Sequence, residues 1–189
     1  ASARLGTDTA FDEKAFKVGK RLVTKIYNAA KYVLSQTAEV HPITHELDKA
    51  FVARLAETVE SACASYRDYE FAPALDVTER FFWASFTDTY LELVKARSRG
   101  EAGSEADRGS AVATLRLALN VLLRLFAPVL PFITEETWGW AFAEETGKPS
   151  IHKAPWPTAA EFAGFARPEH DSSFAVAVAA QAAINKRKS

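Results

Sequence analysis

A row of basic and polar side chains near the start of this 189-residue sequence is the feature best suited to chemistry. Its members are spaced three or four residues apart, which aligns them along one face of a helix; they are Lys14, Lys17, Arg21, Lys25, Asn28 and Lys31. Tyr27 and Tyr32 are interleaved with them. Cationic side chains neutralise phosphates, an amide can read the edge of a base, and an aromatic ring can stack on an unpaired base. The row therefore favours binding to RNA.

The charge of the chain is segregated along its length, which the net charge of −1 conceals. Residues 11–34 carry six basic and two acidic side chains, whereas residues 35–92 carry four basic and eleven acidic ones. A solvated helix face usually mixes the two signs, so a row that is almost entirely basic favours a binding surface. An ordinary solvated face is the alternative interpretation.

Motifs for other chemistries are missing from the sequence. No Glu-x-x-His occurs, as a di-iron bundle would need, and His45-Glu46 lacks the second histidine of a metalloprotease helix. No P-loop, dinucleotide-binding or nucleophile-elbow motif is present. Cys63 is the single cysteine, and only four histidines accompany it, which argues against a zinc site. We therefore expect no metal, cofactor or catalytic site in the chain, and a reducing, cytoplasmic location.

The elements that must position the basic row are predicted to be helices, because apolar residues recur at helical spacing and Gly and Pro number only eight each. Helices are predicted at about 11–36, 44–67, 72–99, 110–126, 134–142 and 171–184. We expect an all-α antiparallel bundle in a single domain over 1–189, with its core at about 11–142 and an irregular Pro/Trp segment and C-terminal helix at about 143–189. No apolar run approaches the ~20 residues of a membrane span, so no contact with a membrane is expected.

Details of these helices can also be predicted. The inward face of the first helix is predicted to carry Phe16, Gly19, Val23, Ile26, Ala30 and Val33. Thr44 and Thr134 are the predicted N-caps of the second helix and of the short fifth helix. Trp138 and Trp156 are predicted to hold the irregular segment against the bundle.

Three ordered motifs carry a resemblance to a known family. Lys25-Ile-Tyr-Asn-Ala-Ala-Lys-Tyr-Val33 resembles the opening helix of the anticodon-binding domain of class I aminoacyl-tRNA synthetases, although Thr24 replaces the usual Asn. Phe82-Trp-Ala-Ser-Phe-Thr-Asp-Thr-Tyr-Leu-Glu-Leu-Val-Lys95 is similar to the W-x-x-F-x-D-x-Y-L-E segment of that family, with Thr87 where Cys is common. The stretch from Leu122 to Trp138, with its L-P-F-I-T-E sequence, resembles the late motif of the bundle.

The resemblance implies that the chain is part of a longer enzyme that joins an amino acid to tRNA with ATP. The catalytic domain of that family carries HIGH-like and KMSKS-like motifs, and neither string occurs here. The absence of any Met agrees with a piece of a longer protein. The chain itself would then be non-catalytic, without a cofactor, and would bind the anticodon stem-loop of tRNA, as a monomer.

The resemblance also implies a set of tRNA-binding residues. Arg21, Lys25 and Lys31 would contact phosphates or base edges, Asn28 would hydrogen-bond an unstacked base, and Tyr32 would stack on one. A hydrogen bond between helices is the alternative role for Asn28, and core packing the alternative for Tyr32. Trp83 and Asp88 are interpreted as a packing residue and as a local cap or ion-pair partner, outside the site.

Within the family, the motif variants resemble the valyl branch most, which implies tRNA-Val as the partner. The isoleucyl and leucyl branches are the nearest alternatives, because they share the bundle. Two other functions stay open on the sequence alone. One is a helical protein-interaction module whose basic face binds an acidic partner, and the other is an RNA chaperone unrelated to aminoacylation.

Overall fold

The structure, a computed structural model, describes residues 13–39 and 41–188 and is built from helices. No strand occurs in that part of the chain, which confirms the all-α prediction. The main elements are α1 (Glu13–Ser35), α2 (Glu46–Arg67), α3 (Phe71–Arg80), a π-helical segment π1 (Phe81–Tyr90), α4 (Leu91–Leu93), α5 (Lys95–Ser98), α6 (Glu105–Phe126), α7 (Pro131–Gly139), α8 (Phe142–Thr146) and α9 (Ser173–Lys188). Single 3₁₀ turns at Ile151–Lys153 and Ala159–Phe162 lie before α9.

Helix α6 is the centre of the bundle and contacts α1, α2, α3, α5 and α7. Its length and composition alone would allow it to cross a membrane, but 78% of its most apolar stretch is buried inside the protein, as expected for the core helix of a bundle. Leu115, Leu119, Leu122 and Phe126 are among its fully buried side chains. The predicted apolar stripe of this helix therefore does form the core.

Helix α1 buries a shorter face than the sequence predicts. Its buried side chains are Leu22, Ile26, Ala29, Ala30 and Val33. The prediction that Phe16 points inward is wrong, because 66% of its surface is exposed. Val18 is exposed as well, so within the described residues the fully buried face of α1 begins at Leu22.

Several helix ends differ from the prediction because the cap is a different residue. Helix α6 begins at Glu105, five residues early, because Ser104 and Asp107 form a reciprocal capping box. The imidazole of His45, and not the Thr44 hydroxyl, caps α2 by accepting a hydrogen bond from the backbone amide of Leu47. Helix α7 begins with Pro131, whose missing N–H suits the first turn. Thr134 is therefore not a cap but a buried residue inside α7.

The third predicted helix is interrupted rather than uniform. Its central ten residues, π1, are wound as a π-helix, and the Thr89 hydroxyl donates to the carbonyl of Ala84 five residues earlier. Val94 leaves helical geometry between α4 and α5. Gly100, in the left-handed region at φ 74°, ends the stretch as predicted.

A fully buried carboxylate, that of Asp48, joins three parts of the bundle. Arg97 donates to both of its oxygens at 2.5 and 2.8 Å, Tyr90 donates at 2.8 Å and Ser110 at 2.7 Å. Burial, followed by the negative charge of Asp48, holds the pKa of Tyr90 well above its usual value, so the phenol stays a donor. We call these four residues the Asp48 network.

The irregular segment is held against the bundle by polar contacts. Arg124 of α6 forms a two-pronged pair with Glu161, at 2.6 and 3.1 Å, and donates to the carbonyl of Pro155. The indole of Trp138 donates to the Lys148 carbonyl at 2.9 Å, and that of Trp156 to the Cys63 sulfur at 3.2 Å. The anchoring role predicted for the two tryptophans is confirmed. The predicted irregular stretch, however, includes the short helix α8 and the two 3₁₀ turns.

Removing the carboxylate of the Asp48 network should destabilise the fold strongly. Asp48→Ala leaves the Arg97 guanidinium buried without its partner, a loss expected to be about 3–5 kcal/mol. Glu57→Ala breaks an exposed pair with Arg54 and should cost less than about 1 kcal/mol. Urea unfolding followed by circular dichroism measures both. Equal, small losses for the two variants would show that the buried network does not support the fold.

Gly109 lies where α6 approaches the segment before α2, so a side chain there should be harmful. A Cβ at this position would lie 2.6 Å from the His41 Cβ, which cannot rotate away. Gly109→Ala should therefore destabilise the protein by about 1–3 kcal/mol in spite of the better helix propensity of alanine. In Gly19→Ala the new Cβ meets no described atom within 4 Å, and this control should stabilise α1 by about 0.5–1 kcal/mol. Thermal melts of both variants should shift in opposite directions.

The docking of the C-terminal segment should depend on pH through Glu46. The carboxylate accepts hydrogen bonds from the backbone amides of Glu169 and His170 and from the Ser173 hydroxyl, which lower its pKa to about 2 from 4.5. Because the pKa falls on folding, the stabilisation is complete above about pH 4.5 and is lost as the pH falls towards 2. In urea unfolding at several pH values, Glu46→Gln should be less stable than the parent chain above pH 5 and equal to it near pH 2. A pH-independent difference would contradict this role.

Candidate nucleic-acid interface

The exposed face of α1 and one side of π1 enclose a shallow groove of about 540 Å³. It is lined by Lys17, Lys20, Arg21, Thr24, Lys25, Asn28 and Trp83, and we call it the cationic groove. The helical period explains the lining, because residues three and four apart on α1 face the same side while Leu22 and Ile26 face the core. The groove therefore combines four cations, one amide and one indole.

Lys25 is the cation that connects the two walls. Its ammonium lies 3.1 Å from the Asp88 carboxylate and 5.5 Å from the centre of the Trp83 ring. Both partners belong to π1, and the lysine side chain is 37% exposed. An exposed ion pair of this kind is weak, so Lys25 can exchange partners.

The other cations of the groove point to solvent. Lys17, Lys20 and Arg21 are exposed and form no ion pair with any carboxylate in the described part of the chain. Asn28 is exposed too, and among residues 13–39 and 41–188 its amide has no hydrogen-bond partner. The alternative role of Asn28, a bond between helices, is not seen. Unpaired cations beside an unpaired amide suit an anionic ligand with polar edges.

The predicted site residues do not all converge. Arg21, Lys25 and Asn28 line the groove together. Lys31 is exposed on the next turn of α1 and does not line it. Tyr32 is half-buried against the core, its hydroxyl lies 3.0 Å from the Ser98 hydroxyl, and the Arg99 guanidinium lies 5.8 Å from its ring centre.

Lys14 and Tyr27 are the remaining residues of the basic region that the sequence singles out. The side chain of Lys14 lies outside the described residues. Tyr27 makes an edge contact with Trp140 at 5.4 Å. It therefore lies away from the groove, since two helix steps from Lys25 rotate it to another face.

Four residues outside the predicted site also line the groove, namely Lys17, Lys20, Thr24 and Trp83, and Trp83 is the aromatic one among them. Trp83 packs edge-on against Phe82 at 5.8 Å, as expected of a packing residue, but it also lines the groove. Asp88 forms an ion pair, one of the two roles predicted for it, and its partner is the predicted site residue Lys25. The sequence does show Trp83 five positions before Asp88. This spacing places the two residues on the same side only in a π-helix, so it could not be recognised as a signal without the structure.

The described residues hold no group of three His, Cys, Asp or Glu side chains that could bind a metal ion. The groove therefore offers cations, an amide and an aromatic face as its means of recognition. These are groups for phosphate contact, base-edge contact and base stacking.

Comparison with known proteins now identifies the family. A family model described as the anticodon-binding domain of tRNA ligase matches residues 48–189. The chain belongs to the family of anticodon-binding domains of tRNA ligases. The match begins at Asp48, so α1, which carries most of the cationic groove, lies before the matched residues of the anticodon-binding domain.

Individual relatives of this anticodon-binding domain are valine–tRNA ligases. The chain is 49% identical to that of Thermobifida fusca over 167 residues, which are 86% of this chain and 18% of the relative. It is 48% identical to the valine–tRNA ligase of Salinispora tropica, over 86% of this chain and 19% of the relative. It is 44% identical to that of Wolbachia pipientis wMel, over 85% of this chain and 18% of the relative. The chain thus spans about a fifth of the length of these relatives. The resemblance to the valyl branch is confirmed.

Proposed function

We propose that this anticodon-binding domain recognises the anticodon stem-loop of tRNA-Val within a valine–tRNA ligase. The observation that carries the proposal is the cationic groove, in which cations without a carboxylate partner among the described residues stand beside Asn28 and the Trp83 ring. The family match supports tRNA as the ligand, and the similarity to valine–tRNA ligases supports tRNA-Val.

Each part of the groove has a task in this proposal. Lys17, Lys20 and Arg21 neutralise phosphates and bring the stem-loop to α1. Lys25 binds a phosphate or a base edge at the π1 wall, and Asn28 hydrogen-bonds an unstacked base. Lys31 extends the basic surface by one turn. Tyr32 would stack on a base through the part of its ring that stays accessible.

The remaining steps of aminoacylation belong to the part of the ligase outside this chain. ATP and the amino acid would bind in that part, and the domain described here would act without a cofactor and as a monomer. Charging of tRNA takes place in the cytoplasm, which is the location we propose. The free thiol of Cys63, which contacts Trp156 and the Pro157 carbonyl, is compatible with that reducing compartment.

Reversing or removing a positive charge in the groove should weaken RNA binding without unfolding the domain. For Arg21→Glu we expect weaker binding of the tRNA-Val anticodon stem-loop. For Lys25→Ala we expect the slope of log K against log salt to become less steep by about 0.7–0.9, which is the contribution of one phosphate contact. Fluorescence anisotropy of a labelled stem-loop at several salt concentrations measures both. Melting temperatures should stay close to that of the parent chain, because both side chains are outside the core.

Arg54→Glu is the matched control, since it reverses an exposed cation of α2 that does not line the groove. It should change the affinity much less than Arg21→Glu. Equal effects would mean that net charge, and not the groove, governs binding. Equal affinity for unrelated RNAs would favour an RNA chaperone, and binding of an acidic protein without competition from RNA would favour a protein-interaction module.

A further inference from the structure

Trp83, which lines the cationic groove, and Asp88, which follows it in π1, share Lys25 as a partner. The Lys25 ammonium lies near the face of the Trp83 ring and in contact with the Asp88 carboxylate. The Thr87 hydroxyl links the two π1 residues, because it lies 3.2 Å from the Trp83 carbonyl and 3.1 Å from the same Asp88 oxygen. The three residues of π1 and Lys25 therefore form one small polar assembly over an indole.

The π-helical winding of π1 makes this assembly possible. In an α-helix, residues five apart point about 140° away from each other, because each residue turns the helix by about 100°. In a π-helix the hydrogen bonds run between residues five apart, so these residues stand on the same side. Trp83 and Asp88 are five apart, and the winding brings both to Lys25.

We propose that the Trp83 indole is a stacking platform for an unpaired nucleobase, and that Lys25, held by Asp88, covers this platform until RNA binds. The inference rests on the proposed function, since RNA must enter the groove for the cover to move. In the free domain the ammonium of Lys25 occupies the ring face. In the complex a phosphate takes the place of Asp88 as the partner of Lys25, and a base takes the place of the ammonium on the ring.

The exchange is energetically reasonable because the pair is exposed. The side chain of Asp88 is 59% exposed, and the Thr87 hydroxyl can still donate a hydrogen bond to it after Lys25 leaves. Water and this hydroxyl therefore solvate the carboxylate when the ion pair is broken. The ring gains a large flat partner, and stacking of a base on an aromatic side chain is sequence-tolerant. The assembly then discriminates by structure: a loop offers both a phosphate and a free base, whereas a duplex offers only the phosphate.

The role of Asp88 is testable through its dependence on Lys25. Asp88→Asn should tighten binding of the anticodon stem-loop by about two- to fivefold, the range of an exposed ion pair. Glu92→Gln is the control for bulk charge, because it removes one charge from an exposed carboxylate that pairs with Lys95 and not with Lys25. In a Lys25→Met background, Asp88→Asn should change the affinity for the stem-loop no more than Glu92→Gln does. If Asp88→Asn acts equally in both backgrounds, Asp88 contributes only bulk charge and this part of the proposal is wrong.

The role of Trp83 is testable by its own fluorescence. Binding of the stem-loop should quench the emission of the 189-residue chain, and the quench should vanish in Trp83→Phe but persist in Trp140→Phe, which alters a tryptophan outside the groove. Trp83→Leu should weaken binding of the loop at least about fivefold, Trp83→Phe should restore part of it, and duplex RNA should be affected by neither. Melting curves of each variant separate these effects from loss of packing against Phe82.

The outcomes separate this inference from the function on which it rests. If Arg21→Glu does not weaken binding, the proposed function itself fails. If Arg21→Glu weakens binding but the quench remains in Trp83→Phe, the groove binds RNA and the stacking platform is wrong. An equal loss of loop and duplex binding in Trp83→Leu would show a packing role only.

Discussion

The buried carboxylate of Asp48 is the constraint on which the rest of the structure depends. It lies near the start of α2, and its partners belong to the end of π1, to α5 and to the first turns of α6. A buried carboxylate without partners would be very costly, so the arrangement that brings Tyr90, Arg97 and Ser110 to one point is strongly favoured over others. Tyr90 is two residues beyond Asp88, and fixing it also fixes the side of π1 that faces α1. The network in the core thereby determines the wall of the cationic groove.

Helix α1 separates stability from recognition by its period alone. Ile26 is buried while its neighbour Lys25 reaches the groove, and the same alternation repeats between Leu22 and Arg21. Most of the energy that holds α1 in place comes from apolar burial, which salt does not screen, whereas the groove acts through charges that salt screens. Substitutions on the two faces therefore have largely independent effects. A binding surface of this kind can vary in sequence without endangering the fold.

Features encoded within one or two helical turns could be predicted from the sequence, and features that depend on distant residues could not. The helices and the apolar stripe of α6 are local and periodic, so the sequence is sufficient to predict them. Arg97 and Asp48 are 49 positions apart, and no local pattern indicates that they meet. Among the described residues the fully buried face of α1 begins only at Leu22, which the periodicity does not reveal, and the capping box at Ser104 sets the start of α6. The position of Trp83 in the groove could not be predicted, because the π-helical winding of its segment leaves no clear trace in the sequence.

This domain contains a buried and an exposed ion pair between an aspartate and a basic residue, and the degree of burial determines the role of each pair. Asp48 and Arg97 form a pair whose side chains are 0% and 11% exposed, and water cannot replace either partner. Such a pair is costly to break and therefore fixes a structure. Asp88 and Lys25 form a pair of the same chemical type at the surface, where separation costs at most about 1 kcal/mol. A phosphate can compete for Lys25 because its former partner returns to water. The same type of ion pair therefore has two roles in this domain. The Asp48–Arg97 pair stabilises the core, and the Asp88–Lys25 pair is a contact at the groove that a phosphate can replace.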